Sequence, residues 1–237
     1  MMANDIFQRR EIKFLVDSRQ RALLEQAFQG RMLPDPHGES TVCNIYYDTP
    51  DFRLVRASLD KPVYKEKLRM RSSGRVGEDE PVFLELKKKY DGVVYKRRIQ
   101  LPQWDAVLFM AGLAPLPEQS QIGRELDYCR RFYGKLRPAV YLCYDRSPWY
   151  GAEDPDFRAT FDKNIRWRTD YLRLSAPIGG QNLLLPGQSL FEVKTAEAVP
   201  LWLTEVLDRA GIRQASFSKY GEVYKNIVWE RKGVTCA

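Results

Sequence analysis

The chain has 237 residues, of which 44% are hydrophobic and 29% charged, the balance of a globular protein with a substantial core. No apolar run nears the roughly 20 residues that span a bilayer, and residues 1–10 lack the apolar centre of a secretion signal, so a cytoplasmic protein is expected. The formal charge of +7, from 38 basic and 31 acidic residues, favours an anionic partner; with His37 the single histidine, His-built metal sites and Ser-His-Asp triads are all but excluded.

In chain order, alternation first predicts a strand over 10–16. Ser18 is placed to cap a helix with Leu23, Leu24, Ala27 and Phe28 on one face, ending at Gly30. A strand over 42–47 leads into an Asp-Thr-Pro segment, where Asp48 and Asp51 suit the capping of a turn. Strands over 64–72, 82–88 and 93–101 follow, the last two joined at Lys89-Tyr90-Asp91-Gly92, a hairpin signal. Helical spacing marks 103–111 and 119–133, the second with Ile122, Leu126, Cys129 and Tyr133 in a stripe. Strands over 139–144, 157–165, 172–174 and 189–195 and helices over 200–210 and 219–229 complete the series. Cys43, Cys129, Cys143 and Cys236 show neither zinc spacing nor a disulfide framework; Cys43 and Cys143 fall in apolar runs and read as core. Strands interrupted by helices make an α+β fold with an antiparallel sheet, expected as one domain over 1–237.

Seven of these strands carry a charged face. Lys67, Arg69 and Arg71 alternate with Leu68 and Met70; Glu85 and Lys87 alternate with Leu84 and Leu86. Lys96 and Arg98 share a face, as do Arg158, Thr160 and Asp162, and Arg146 falls in line with Tyr144 and Leu142. Glu192 and Lys194 stand opposite Phe191 and Val193, and Glu11 and Lys13 opposite Ile12 and Phe14. A solvated sheet face would account for any one strand. A series dominated by Arg and Lys points further, to a sheet curled into a barrel with that face inside and helices packed outside. Two unit charges 4 Å apart cost about 4 kcal/mol at an effective dielectric near 20, so a lumen crowded with cations needs anions. Arg forks and Lys ammonium groups suit phosphate, and a few carboxylates among them suit Mg²⁺ or Mn²⁺.

Eight segments then carry a resemblance, in order: Tyr46-Tyr47-Asp48-Thr49-Pro50-Asp51-Phe52, Lys67-Leu68-Arg69-Met70-Arg71, Phe83-Leu84-Glu85-Leu86-Lys87, Tyr95-Lys96-Arg97-Arg98, Tyr144-Asp145-Arg146, Arg158-Ala159-Thr160-Phe161-Asp162, Phe191-Glu192-Val193-Lys194 and Phe217-Ser218-Lys219-Tyr220. Together they resemble the polyphosphate polymerase domain of vacuolar transporter chaperone (VTC) proteins in its stand-alone bacterial form, over about residues 8–228. The resemblance implies a triphosphate tunnel fold and transfer of the γ-phosphate of ATP to a growing polyphosphate chain, with Mn²⁺ or Mg²⁺. It implies that Lys13, Arg56, Arg69, Arg71, Lys87, Lys96, Arg98, Arg146, Arg158, Lys194 and Lys219 grip phosphates of ATP, polyphosphate, pyrophosphate or triphosphate. Glu192 would hold the metal with Glu85 or Asp162 as helpers, and Lys219, Arg69, Arg71 and Glu192 would form the catalytic set. Arg9 stands where the wider tunnel superfamily carries the first Glu of a Glu-x-Glu-x-Lys signature, leaving Glu11 and Lys13. No membrane helix accompanies the domain, so coupling to translocation would need a separate membrane partner. A hydrolase of tripolyphosphate or nucleoside triphosphates and a non-catalytic polyphosphate-binding subunit stay open as alternatives. A nucleic-acid role is disfavoured, since the alternating basic strands lack the exposed aromatics of a single-strand platform.

Overall fold

The computed structural model describes residues 10–60, 62–91, 93–117 and 120–231. Arg9, Gly92, Gln119 and Cys236, each named in the sequence analysis, lie outside them. The elements run β1 (Arg10–Val16), α1 (Ser18–Phe28), β2 (Met32–Pro34), β3 (Ser40–Asp48), α2 (Arg53–Leu59), β4 (Tyr64–Ser73), β5 (Pro81–Tyr90), β6 (Val93–Pro102), α3 (Gln103–Ala111) and α4 (Gln121–Tyr133). They continue with β7 (Arg137–Gly151), β8 (Arg158–Arg168), β9 (Gln181–Asn182), β10 (Ser189–Thr195), α5 (Leu201–Arg209) and α6 (Lys219–Arg231). The strands form one antiparallel sheet in the order β1-β10-β8-β7-β3-β4-β5-β6, with β2 on β7 and β9 on β8, so the fold is α+β as expected. That order begins at β1 and ends at β6. No helix among the described residues is long and apolar enough to cross a membrane.

The chain divides into two compact units, one of residues 1–41, 144–165 and 182–217, the other of residues 42–143, 166–181 and 218–237. In the first, Phe14 and Val16 of β1, Ala159 and Phe161 of β8 and Phe191 and Val193 of β10 turn one way, under Leu24 and Phe28 of α1 and Leu203 and Leu207 of α5. Phe28 anchors this core, its ring 5.3 Å from Trp149, 5.8 Å from Phe161 and 6.1 Å from Trp202. The cap of α1 is Asp17 rather than Ser18: Asp17 accepts from Gln20 N at 2.7 Å while the Gln20 side chain accepts from Asp17 N, a reciprocal capping box.

In the second unit Cys43, Ile45 and Tyr47 of β3, Leu68 and Met70 of β4 and Leu84 and Leu86 of β5 pack under Phe109 and Met110 of α3 and Leu126 and Cys129 of α4. The β5–β6 hairpin is tighter than its sequence signal, because both strands run through to Tyr90 and Val93 and Asp91 takes the left-handed turn conformation at φ 43°. No strand forms over 172–174. The segment makes turn and coil bonds instead, Arg173 N donating to Tyr171 O at 2.8 Å and Val76 N to Leu174 O at 3.3 Å, while Arg168 donates to the flanking carbonyls of Asp170, Tyr171, Pro177 and Gly179 at 3.0–3.2 Å.

Asp48 ends β3 fully buried and organises the segment beyond it. Its carboxylate accepts from the backbone N–H groups of Thr49, Leu54 and Val55 at 2.8–3.0 Å, which starts α2, a helix where the sequence alone suggests a turn. It also accepts the Tyr220 hydroxyl at 2.8 Å and so ties down α6. Asp48→Ala should lower the unfolding free energy by about 2–5 kcal/mol, from the lost cap and the donors left unpaired. Urea denaturation checks this; a loss below about 1 kcal/mol would mean that α2 and α6 hold without Asp48.

Candidate functional site

Strand register turns the predicted charged faces into rows. In the first unit Lys13 of β1 is opposite Glu192 of β10, which is opposite Thr160 of β8; one step along, Glu11, Lys194 and Arg158 line up. Directly opposed residues share a face, so this face backs the Phe14–Phe161–Phe191 core. Lys13 Nζ lies 3.0 Å from Glu11 and 3.4 Å from Glu192 Oε1, and donates to the carbonyl of Phe217 at 3.1 Å. Arg146 grips Asp162 with both forks, at 2.7 and 2.8 Å, while its Nη2 lies 3.5 Å from Glu192 Oε2. Asp162 is 0% and Glu192 5% exposed. Burial works against charge on Arg146, but Tyr144, Asp162 and Glu192 outweigh it and raise the guanidinium above its usual value. Arg158 is exposed and donates to the carbonyl of Pro155 at 3.4 Å.

In the second unit one row runs Tyr46, Arg69, Glu85, Arg98 across β3 to β6, and the next runs Lys67, Lys87, Lys96 across β4 to β6. Glu85, 2% exposed, is the hub. Arg69 holds its Oε2 at 2.6 and 2.8 Å, and Lys96 and Arg71 lie 2.9 and 3.6 Å from its Oε1. Arg69 also donates to the Tyr46 hydroxyl at 3.4 Å, and Arg98 lies over the Phe83 ring at 5.1 Å. At the start of α6, Ser218 accepts from Lys67 at 2.8 Å, Lys219 opens the helix and Tyr220 stacks on Tyr46 at 4.6 Å. Arg56 stands apart from this hub, half-exposed on α2 and paired with Asp51 at 2.5 Å.

Of the residues expected to act, the structure thus gathers Arg69, Arg71 and Lys96 about Glu85, and Lys13 and Arg146 about Glu192. It adds Lys67, Ser218 and Tyr46 to the second unit's cluster. Lys67 is legible from alternation with Leu68; Tyr46 reads from sequence as core or rim, and its hydroxyl contact depends on pairing with β4.

Among the described residues no three His, Cys, Asp or Glu side chains gather as a metal site. A metal bound here would therefore draw few ligands from the described residues. Glu85 is ringed by three cations and Asp162 has both oxygens on Arg146. Glu192 has its two oxygens 3.4 and 3.5 Å from Lys13 and Arg146. One carboxylate with a second beside it fits a hard divalent ion that completes its shell with water and phosphate oxygens.

Burial alone would raise the Glu85 carboxyl, but the charges of Arg69 and Lys96 overcome it and bring the group down to about 2. A depressed carboxylate stabilises the fold above its unfolded value, near 4.3, and that contribution fades as pH falls toward about 2. Glu85→Gln should therefore cost about 3 kcal/mol at neutral pH, the gap to wild type closing between about pH 4 and 2. Chemical denaturation across this range is the test; a gap that does not vary with pH would mean that Glu85 is not the counter-charge.

The family model described as the VTC domain matches residues 8–228. No curated protein matches the sequence. Among solved structures, a candidate adenylate cyclase from Bacillus halodurans superposes with a TM-score of 0.55 at 17% identity, covering 90% of this chain and 94% of that one. A candidate adenylate cyclase from Vibrio parahaemolyticus gives 0.47 at 11% identity, covering 91% and 97%, and the Mimivirus capping enzyme triphosphatase gives 0.37 at 8%, covering 86% and 89%. The first likeness shows that the two chains share a fold. With its family model matched over nearly its whole length, the chain belongs to the VTC domain family.

Proposed function

We propose that this protein is a metal-dependent polyphosphate polymerase that moves the γ-phosphoryl group of ATP onto the end of a polyphosphate chain, releasing ADP. The observation that carries the reading is the pair of strand faces on which Arg and Lys crowd around buried carboxylates, Glu85 in one unit and Glu192 in the other. Such faces bind polyanions through charge and Arg forks, whatever the rest of the ligand. In the second unit Arg69, Arg71, Lys87, Lys96, Arg98 and Lys219 grip phosphate oxygens; in the first, Lys13, Arg146, Arg158 and Lys194 do so. Arg56, on the exposed side of α2, serves as an outer phosphate contact by leaving Asp51. Glu192 holds Mn²⁺ or Mg²⁺, with Asp162 beside it, and Glu85 keeps its cations charged and in place.

Phosphoryl transfer asks little covalent chemistry of the protein, which acts by placing the two phosphates in line and neutralising charge. When bound, the divalent ion supplies further neutralisation on the phosphate oxygens. Arg69, Arg71 and Lys219 stabilise the charge that spreads over the transferred group. The choice between polyphosphate and water as acceptor separates the polymerase from a hydrolase built on the same residues.

Incubation with ATP and Mn²⁺ should yield a ladder of polyphosphate on gels with little free phosphate. Free phosphate without a ladder would replace the polymerase with a hydrolase, and neither product, with tight polyphosphate binding, would make the protein a non-catalytic subunit. Glu192→Gln should abolish metal-dependent turnover in a protein that still folds; full activity would remove Glu192 from the metal site. Because the clustered cations gain a partner only in the folded state, tripolyphosphate at 100 times its dissociation constant should raise the melting temperature by about 5–10 °C. The absence of any shift at millimolar ligand would argue against a polyphosphate site altogether.

A further inference from the structure

Asn44 lies on the charged face of the second unit, because its neighbours Cys43 and Ile45 turn into the apolar core. It is 0% exposed, and its strand, β3, runs between β7 and β4. On the β7 side its Nδ2 donates to the carbonyl of Leu142 at 3.1 Å. That bond fixes the carboxamide, since only its nitrogen can donate, and turns Oδ1 away from β7 toward β4. The residue directly opposite in β4 is Arg71, so the two side chains share one face. Asn44 Oδ1 and Arg71 Nε are both buried, and both lack a hydrogen-bond partner among the described residues. One is an acceptor and the other a donor, and each destabilises the fold while it stays unpaired.

The two atoms do not meet because Arg71 leans the other way. Its Nη1 lies 3.6 Å from Glu85 Oε1 in β5, an oxygen that Lys96 already holds at 2.9 Å. Arg69 is closer still to the other oxygen, at 2.6 Å, so Arg71 is the farthest of the three cations about Glu85. A phosphate group brought to this face competes with Glu85 for the Arg71 guanidinium, and its oxygens match the fork better than one shared carboxylate oxygen does. Once Arg71 leaves Glu85, rotation about its side-chain bonds brings Nε–H against Asn44 Oδ1 and leaves Nη1 and Nη2 for the phosphate. Each unpaired atom then satisfies the other. We propose that Asn44 is the dock of Arg71 in the polyanion-bound protein, a positioning residue that acts through the arginine and touches no phosphate itself. The assignment rests on the polyphosphate-binding function proposed for this protein. Valine at this position would favour the strand and bury no unpaired oxygen, so the amide is kept for the bound state at the expense of the free one.

Tripolyphosphate is the probe, titrated by calorimetry into wild type, Asn44→Val, Arg71→Met and the double variant, with a melting curve of each to establish that it folds. Asn44→Val should weaken tripolyphosphate binding about tenfold in the wild-type background, the worth of one hydrogen bond to a charged group. With Arg71→Met in place, the same change should alter the affinity by less than about twofold, because the dock has lost its arginine. Asn44→Ala, which adds no bulk, takes the place of Asn44→Val if valine does not fold, and should behave alike. Equal affinity in wild type and Asn44→Val would overturn the dock while leaving polyphosphate binding in place. A loss of the same size with and without Arg71→Met would overturn it too, since Asn44 would then act through its bond to Leu142 and the packing of β3 rather than through Arg71. Wild type that binds no tripolyphosphate would overturn both the dock and the function on which it rests.

Discussion

Three cations within 3.6 Å of one buried carboxylate can stay together only because the carboxylate is there. Arg69, Arg71 and Lys96 come from strands whose pairing fixes their separation, so they cannot relieve their repulsion by moving apart. Nor can the strands rotate, because the alternate residues Leu68, Met70, Leu84 and Leu86 are sealed beneath α3 and α4. The same constraint recurs in the first unit, where Arg146 is fixed by Asp162 and Glu192 above the phenylalanine core. Hydrophobic burial on one side of the sheet thus holds a strained concentration of like charge on the other. Such a face is ready for a polyanion before any arrives, and little further ordering of side chains is needed on binding.

Much of this is written locally. A period of two is a short-range signal, and by itself it places Lys67, Arg69 and Arg71 opposite Leu68 and Met70, and Glu192 and Lys194 opposite Phe191 and Val193. What alternation cannot carry is the choice of partner. That Lys96 meets Glu85, or that Asp162 takes both forks of Arg146, depends on strand order and register, which are properties of the whole sheet. The short helix α2 is hidden for a related reason. Its N-terminal donors are satisfied by Asp48 from outside the helix, and its preceding residue Phe52, in the left-handed region at φ 59°, is not a residue that signals a cap. The coil over 172–174 escapes a pattern search because its neighbouring carbonyls are met by a side chain, Arg168, that nothing in the segment itself announces.

Asp48 shows how few groups tie the second unit together. One carboxylate starts α2 and fixes Tyr220, whose ring lies on Tyr46, whose hydroxyl in turn meets Arg69. The helix that begins at Lys219 is therefore set in place by the same strand that supports the Glu85 cluster. Order passes from a buried cap to a charged surface through stacked rings and single hydrogen bonds, with each link short and each group shared.

The pairing of β1 with β10 has a consequence for how the chain is made. Lys13 meets the carbonyl of Phe217, a residue 204 positions later. On a ribosome adding about 5–20 residues per second, the first strand waits about 10–40 s for its neighbour, with Ile12, Phe14 and Val16 uncovered on one side. The charged side serves during that interval too. Glu11 and Lys13 alternate with the exposed apolar residues and discourage the nascent edge from pairing with other chains. Lys13, proposed to grip phosphate in the mature protein, thus begins as a gatekeeper against aggregation of the growing one.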